Sequence, residues 1–473
     1  MSQYKPTIGI EIHAQLATNS KMFCGCNNDS RDALPNTNIC PVCLALPGTL
    51  PVINKGAIDM AIKLAKGFNA EVARTTSFDR KNYFYPDSPK GYQITQMDQP
   101  IIKNGYVEIL VGGEFKKIGI HHAHLEEDAG KLTHPDGADY SLVDFNRAGT
   151  PLTEIVSEPD IKSTEQAKRY LQEVYNIVTS LGVCNGDMEH GNFKFDLNVS
   201  ISDSSTLGTR TELKNLNSFR NAERALNYEI ARQIAVLESG GVIEQETRGW
   251  NDTKAVTFSQ RSKEQANDYR YFPEPDLPPI TLSQSYIDQV QSQITVLPID
   301  VRKDLVNLNL NADEQDVLLA QPATIAIFKD AESALKKPEL IKKAVNWLVG
   351  DYQSILATNK KPHLTGERLA ELIELVESGV ISSKIAKSIF ADIVAGAKPS
   401  DIVAQKGLKQ VSDDSELENI IKKIILDNPK PVDDYRSGNA RVLGFFVGEV
   451  MKQTKGQANP SKVNQLMIKL LKE

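Results

Sequence analysis

Residues 121–131 set His121, His122 and His124 beside three consecutive acids, Glu126, Glu127 and Asp128, with Gly130 and Lys131 closing the stretch. Imidazoles beside hard oxygen ligands point to a metal. Mg²⁺ favours carboxylates together with phosphate oxygens, so adjacent acids followed by Gly-Lys suit a divalent ion bridging a triphosphate. A solvated charged turn accounts for the same composition. Two distant segments carry related chemistry in strand form. In 7–14 the alternation is strict: Ile8, Ile10 and Ile12 share one face, Glu11 and His13 the other, about 7 Å apart. Around residues 193–201, Phe193, Phe195, Leu197, Val199 and Ile201 alternate with Lys194, Asp196, Asn198 and Ser200. The three acidic segments could converge on one sheet face.

Four cysteines read Cys24-Gly25-Cys26 and, thirteen residues on, Cys40-Pro41-Val42-Cys43. That spacing suits a knuckle-type Cys₄ zinc site in a reducing compartment, with reduced free thiols as the alternative. Four ligands close the tetrahedron, so such a zinc is structural. Cys184 stands alone, as a loop or core thiol.

Residues 78–87, Phe-Asp-Arg-Lys-Asn-Tyr-Phe-Tyr-Pro-Asp, and the following Lys90-Gly91-Tyr92-Gln93 interleave basic, aromatic and amide groups around a proline. They suit a nucleotide or a terminal adenosine through phosphate contacts and stacking; a packed aromatic turn is equally compatible. Arg147, between Asn146 and a Gly-Thr-Pro turn, presents a planar fork to a phosphate or carboxylate.

These residues need elements to hold them. Helices are expected over 55–68, over 163–181 with Ser163 and Gln166 as a capping box, and ahead of Gly240-Gly241. Short strands and helices without a βαβ rhythm imply an α+β domain. Four prolines within 273–279 end it. Helical patterns follow over 312–336, 338–349, 365–378, 382–395, 415–428, 440–455 and 460–472, the last with Asn459 as N-cap. A chain of 473 residues with net charge −7 holds several domains and is not by composition a nucleic-acid binder. Its end is locally basic, with seven Lys/Arg against two acids over 435–473. That tail could grip an RNA backbone, or be a solvated bundle. Without a signal peptide or an apolar run long enough to span a bilayer, a cytoplasmic protein is expected.

Taken together, the motifs at 9–13, 79–87, 124–131, 212–218, 268–276 and 455–460 resemble, in order and nearly end to end, the GatB family of aspartyl/glutamyl-tRNA(Asn/Gln) amidotransferases. The resemblance implies a mixed, mainly antiparallel-sheet catalytic cradle of glutamine-synthetase-like fold over 1–293, with the knuckle at 24–43. A helical domain over 294–405 and a YqeY-like tRNA-binding tail over 406–473 would follow. It implies ATP-dependent phosphorylation of the side-chain carboxylate of Glu-tRNA(Gln) or Asp-tRNA(Asn), then displacement by ammonia from glutamine. Glu11, His13, Glu127 and Asp196 become the Mg²⁺ cluster, with Glu126 and His124 beside them. Arg80, Lys81, Lys90, Arg147 and Lys214 are the expected contacts to ATP phosphates or the acyl end. Where the family carries an arginine this chain has Lys194, which loses a bidentate donor.

Neither a Ser-Ser-Lys amidase signature nor a P-loop is present, so the chain is expected to take ammonia from an amidase partner, GatA, in a heterotrimer with GatC. Two rivals make different predictions. A non-catalytic tRNA-binding scaffold would ignore Glu127→Gln, and a free-standing ligase would act on free glutamate.

Overall fold

The computed structural model describes residues 3–262, 268–294, 296–358, 362–408, 414–439, 441–454, 458 and 460–472. It divides into two compact units, 1–305 with 319–322, and 306–318 with 323–473.

The first unit is built on a nine-stranded sheet. Its strands are β1 (Lys5–Gln15), β2 (Glu71–Val72), β3 (Ile102–Val111), β4 (Glu114–Glu127), β5 (Pro151–Ser157), β6 (Phe193–Ser202), β7 (Thr211–Lys214), β8 (Glu246–Asn251) and β9 (Val256–Ser262). They lie in the order β9-β8-β7-β6-β1-β5-β4-β3-β2. Only β7 and β8 run parallel; the other pairs are antiparallel.

Period-two alternation sorts the central strands into two faces. Ile8, Ile10, Ile12 and Ala14 of β1 are buried, as are Phe193, Phe195, Leu197 and Val199 of β6 and Ile155 of β5. Helices α1 (Lys55–Gly67), α2 (Thr164–Ser180) and α3 (Phe219–Glu238) share this core through Ala61, Ile62, Leu171, Val174, Ala225 and Leu226. Asn54, Ser163 and Ser218 cap them, each accepting a backbone N–H of the first turn. Of the capping box expected at Ser163, the hydroxyl's bond from the Gln166 N–H at 3.1 Å is formed, while Gln166 Oε1 reaches one residue further back, to the Lys162 N–H. A buried isoleucine such as Ile10 contributes about 1.5–3 kcal/mol by leaving water. Ile10→Ala is therefore expected to cost about 2–5 kcal/mol, read as a shift in the urea midpoint.

With helices on one face, the polar residues of β1, β4, β5 and β6 occupy the other. The stretch 121–127 belongs to β4, so it is strand and not a charged turn. A smaller sheet of Asp79–Asn82, Tyr92–Thr95 and Phe272–Pro273 carries the basic and aromatic segment. The proline-rich run thus supplies only a two-residue edge strand, as prolines allow.

The second unit is helical, and one cluster in it gathers Leu417, Ile421, Phe446, Val450, Val463 and Met467. The helix expected over 312–336 is two, Ala312–Leu319 and Pro322–Leu335, because Pro322 has no N–H and its ring cannot follow a helical turn. Pro399–Gln405 and Pro429–Arg436 are further helices that sequence reading omitted, both with proline in the first turn. The Asn459 cap and most of the 455–460 motif lie outside the described residues. No described helix is long and apolar enough to cross a membrane.

Candidate active site

Register brings the acidic segments together. His13 on β1 stands between Lys194 of β6 and Glu154 of β5, and Glu154 stands opposite His124 of β4. Nearby on β1, Glu11 is flanked by Asp196. The result is a patch in which His13 Nε2 is 3.3 Å from Glu154 and 3.7 Å from Glu126, while His124 Nε2 lies 3.5 Å and 3.6 Å from the same two carboxylates. His13, Glu126 and Glu154 each offer a ligand atom, all within 4.8 Å of one another. His124 and Glu126 are buried, and the His124 Nδ1 has no hydrogen-bond partner.

Electrostatics divide the patch: burial would raise the Glu154 carboxyl, but the His13 hydrogen bond and the His124, His13 and Lys81 charges hold it down to about 2, which leaves Glu11 without such help. Burial raises the Glu11 carboxyl above its ordinary value, and Glu154, Glu212 and Asp196 raise it further, against a hydrogen bond from Asn198 Nδ2 at 2.9 Å. At His13 burial pulls downward, yet the Glu154 hydrogen bond and the Glu126, Glu154 and Asp196 charges lift it to about 9. Clustered carboxylates in such a state favour a cation. Two carboxylates beside an imidazole accept a hard divalent ion that keeps its remaining positions for water or phosphate oxygens.

Glu154 was missed by sequence reasoning, which stopped at the turn before it. The signal was weaker than at Glu11 and His13: in 151–157 the apolar Leu152 and Val156 share the face of Glu154, and only the buried Ile155 beside it marks the opposite one.

Glu127 goes elsewhere. Neighbours on a strand face opposite ways, so Glu126 joins the histidines while Glu127 turns to accept the Ile94 N–H at 3.1 Å and to pair with Lys90. Both still line a cavity of about 440 Å³ with His13, Asp196, Lys81 and Arg147, and with Lys194, Tyr83 and Tyr269. Arg147 pairs with Asp128 and donates to the Gly191 carbonyl at 3.3 Å. Lys81 lies 5.0 Å from the Tyr269 ring centroid. Burial, then the neighbouring Arg147, hold the Lys194 ammonium below the usual lysine value.

Arg80 and Lys214 are held apart from this lining. Arg80 makes a bidentate pair with Glu274 at 2.7 and 2.8 Å, meets Asp276 at 3.2 Å and covers the Tyr92 ring at 4.3 Å. Lys214 bridges Asp196 at 2.7 Å and Glu212 at 3.3 Å. Glu11 also lies outside the lining, beside the Asp196 that belongs to it.

Cys24, Cys26, Cys40 and Cys43 form a second cluster, their sulfurs within 4.8 Å of one another, which could bind a metal ion. A hydrogen bond from Cys24 draws the Cys43 thiol down to about 4, helped by the Cys40 N–H and by Lys21. Lys21 is fully buried, its Nζ 3.0 Å from the Asn38 carbonyl and 3.8 Å from the Cys43 sulfur. A lysine out of water beside a readily ionised thiol fits an anionic tetrathiolate. Cys43 also lines the large cavity, so the cluster braces its wall. Cys184 differs in access: burial pushes its thiol up to about 11 and closes it off, whereas Cys24 and Cys26, whose thiols are also raised, are half-buried. A brief maleimide pulse at pH 8 after a chelator is expected to label the four clustered cysteines and leave Cys184 unmodified, as mass spectrometry would read.

An α+β sheet with one face buried under helices and the other gathering acids, histidines and cations around a cavity defines a catalytic cradle. The comparisons say which. Residues 6–288 match the family model described as the GatB/GatE catalytic domain, and 329–471 match a second described as the GatB domain. The chain is 48% identical over 479 residues to the B subunit of the aspartyl/glutamyl-tRNA(Asn/Gln) amidotransferase of Brevibacillus brevis, covering 100% of this chain and 99% of that protein. Proteins of the same name from Carboxydothermus hydrogenoformans and Persephonella marina are 45% and 44% identical, each covering 99% of this chain and 98% and 100% of their own length. The chain belongs to the GatB family.

Proposed function

We propose that this chain uses ATP to phosphorylate the side-chain carboxylate of Glu-tRNA(Gln), Asp-tRNA(Asn) or both, and replaces the phosphate with ammonia to give the amide. The observation that carries the reading is the cavity itself, lined by His13 and Glu126 of the His13/Glu126/Glu154 cluster together with Lys81, Lys90 and Arg147, with Glu154 behind them. The relatives' name supports the substrate, and the lack of an amidase signature supports partners of the GatA and GatC types, assembled in the cytoplasm.

In the first step a carboxylate oxygen of the aminoacyl side chain attacks the γ-phosphorus and the bond to the β-bridging oxygen breaks, releasing ADP. In the second, ammonia attacks the acyl carbon, loses a proton, and phosphate leaves with the oxygen it took. His13, Glu126 and Glu154 would hold Mg²⁺, which supplies charge neutralisation on the phosphate oxygens. Glu11, Asp196 and His124 complete the charge balance around it.

Lys81, Lys90 and Arg147 orient the phosphates; Glu127 fixes the Lys90 ammonium by their ion pair. Arg80 stiffens the small sheet through Glu274, and Lys214 restrains Asp196. Lys194 adds a cation at the place of the family's arginine. Zn²⁺ on Cys24, Cys26, Cys40 and Cys43 would be structural, fixing the wall formed by Cys43. Residues 406–473 would bind the tRNA body.

The test is ATP cleavage by the reconstituted heterotrimer with and without Glu-tRNA(Gln). Cleavage is expected to require the acylated tRNA and to fall at least about 10-fold in Glu127→Gln, which frees Lys90. Equal cleavage by the variant would favour a scaffold role.

A further inference from the structure

The lip of the cavity carries a second feature. Tyr83, Phe84 and Tyr85 follow one another in the turn after the strand Asp79–Asn82, and all three are exposed, Phe84 at 86%. Consecutive aromatic rings in water are costly and mark a surface that something covers. Their arrangement is ordered. The Tyr83 and Tyr85 rings stack, centroids 5.6 Å apart and 25° from parallel. Between them in sequence, Phe84 turns outward with its inner side against Gly91, where an added Cβ would come within 3.3 Å of the ring. Gly91 has a φ of +71° and gives its carbonyl to the Tyr83 N–H at 3.1 Å, so the glycine both closes the turn and backs the ring. Tyr83 lines the cavity itself, facing the same space as Tyr269 and Lys81.

We propose that Tyr83, Phe84 and Tyr85 form a stacking platform for the unpaired 3′-terminal bases of the aminoacyl-tRNA. The inference rests on the function proposed above and names how its substrate is gripped. A glutamyl or aspartyl side chain is only a few bonds long. For its carboxylate to reach the cavity, the ribose that bears it must stand at the mouth and the preceding unpaired nucleotides must cross the lip. Bases present flat faces that aromatic rings bind without regard to sequence, and the cations Lys81, Lys90 and Arg147 lie inward of the lip, where backbone phosphates and ATP arrive. A protein partner would need no cations beneath the rings, and the adenine of ATP would need rings facing inward, as Phe84 does not.

The experiment uses the heterotrimer and two deacylated tRNAs, one intact and one lacking its single-stranded 3′ nucleotides. Phe84→Ala/Tyr85→Ala is expected to weaken binding of intact tRNA about 5- to 100-fold, the range for losing a base–aromatic stack, and to leave the truncated tRNA bound as by wild type. KM for the acylated tRNA rises with kcat kept at saturation. Phe84→Trp retains affinity, whereas Phe84→Leu, apolar without a ring, does not. Equal affinity of wild type and the double variant for intact tRNA overturns the proposal. So does a rise in KM for ATP alone, which would place adenine on the rings, or failure of the heterotrimer to assemble, which would place a partner there. Wild-type ATP cleavage that ignores acylated tRNA would instead sink the functional reading beneath it.

Discussion

Glu154→Gln is expected to lower tRNA-dependent ATP cleavage by about 100-fold or more while the protein stays folded. The change keeps size and hydrogen-bonding capacity and removes one negative charge. That charge is the nearest one to His13, at 3.3 Å, and stands 3.5 Å from His124. Of the three residues whose ligand atoms lie within 4.8 Å, only Glu126 would then remain as a carboxylate. Raising Mg²⁺ should recover part of the activity, because the loss is one of cation affinity. Glu114→Gln, at the exposed start of β4, serves as the control and should leave cleavage unchanged. Steady-state ATP cleavage against Mg²⁺ concentration reads both; full activity of Glu154→Gln at low Mg²⁺ would refute the assignment.

The largest stability effect is expected where helix α4 (Pro298–Asn307) meets α2. Arg302 donates through Nε at 3.0 Å and Nη2 at 2.9 Å to Glu173, and the two side chains are only 4% and 2% exposed. Desolvating both ions consumes much of their attraction, so the pair gives little net stability. Breaking it is another matter. Arg302→Met takes the arginine's charge and both of its donors away from the buried Glu173 carboxylate and should cost about 3–5 kcal/mol in the unfolding of the first unit. The double replacement Arg302→Met/Glu173→Met should recover most of that loss. Urea denaturation of the three variants decides it: equal losses in single and double variants would show that packing, and not charge, is at stake.

How much of this could be read from the chain depends on distance in sequence. The alternation at 7–14 and 193–201 gave both strands and the face on which Glu11, His13 and Asp196 lie, because a half-buried strand writes its two faces into successive residues. The same rule would have sent Glu126 and Glu127 to opposite faces, whereas Glu154, with Leu152 and Val156 on its own face, is placed only by its pairing with His13 and His124. The split of Glu126 from Glu127 was legible and passed over, since a run of acids draws attention to composition before periodicity.

Partners far along the chain were not legible. Nothing near Arg80 announces Glu274, 194 residues later, and nothing near Lys214 says that its charge is met by Asp196 on the adjacent strand. Isolated cations in a suggestive motif therefore read as phosphate ligands until tertiary pairing assigns them. The cysteine spacing carried its own geometry, and the four sulfurs do meet. Lys21 beneath them was invisible, because only folding decides which lysine is buried. Helix existence in the second unit followed from periodicity, but periodicity alone ran one helix over 312–336 and so passed over Pro322, where the chain starts a new one.

The central claim is that the side-chain carboxylate is activated by phosphoryl transfer in the cavity that His13 and Glu126 line together with Lys81, Lys90 and Arg147. The most direct measurement is oxygen transfer. Glu-tRNA(Gln) carrying ¹⁸O in the glutamyl side-chain carboxylate is turned over with ATP and glutamine by the heterotrimer, and the released phosphate is examined by mass spectrometry. The account predicts one ¹⁸O in each phosphate formed with product, since the oxygen that attacks phosphorus leaves with it. Phosphate without the label, alongside amide product, would contradict activation by phosphoryl transfer.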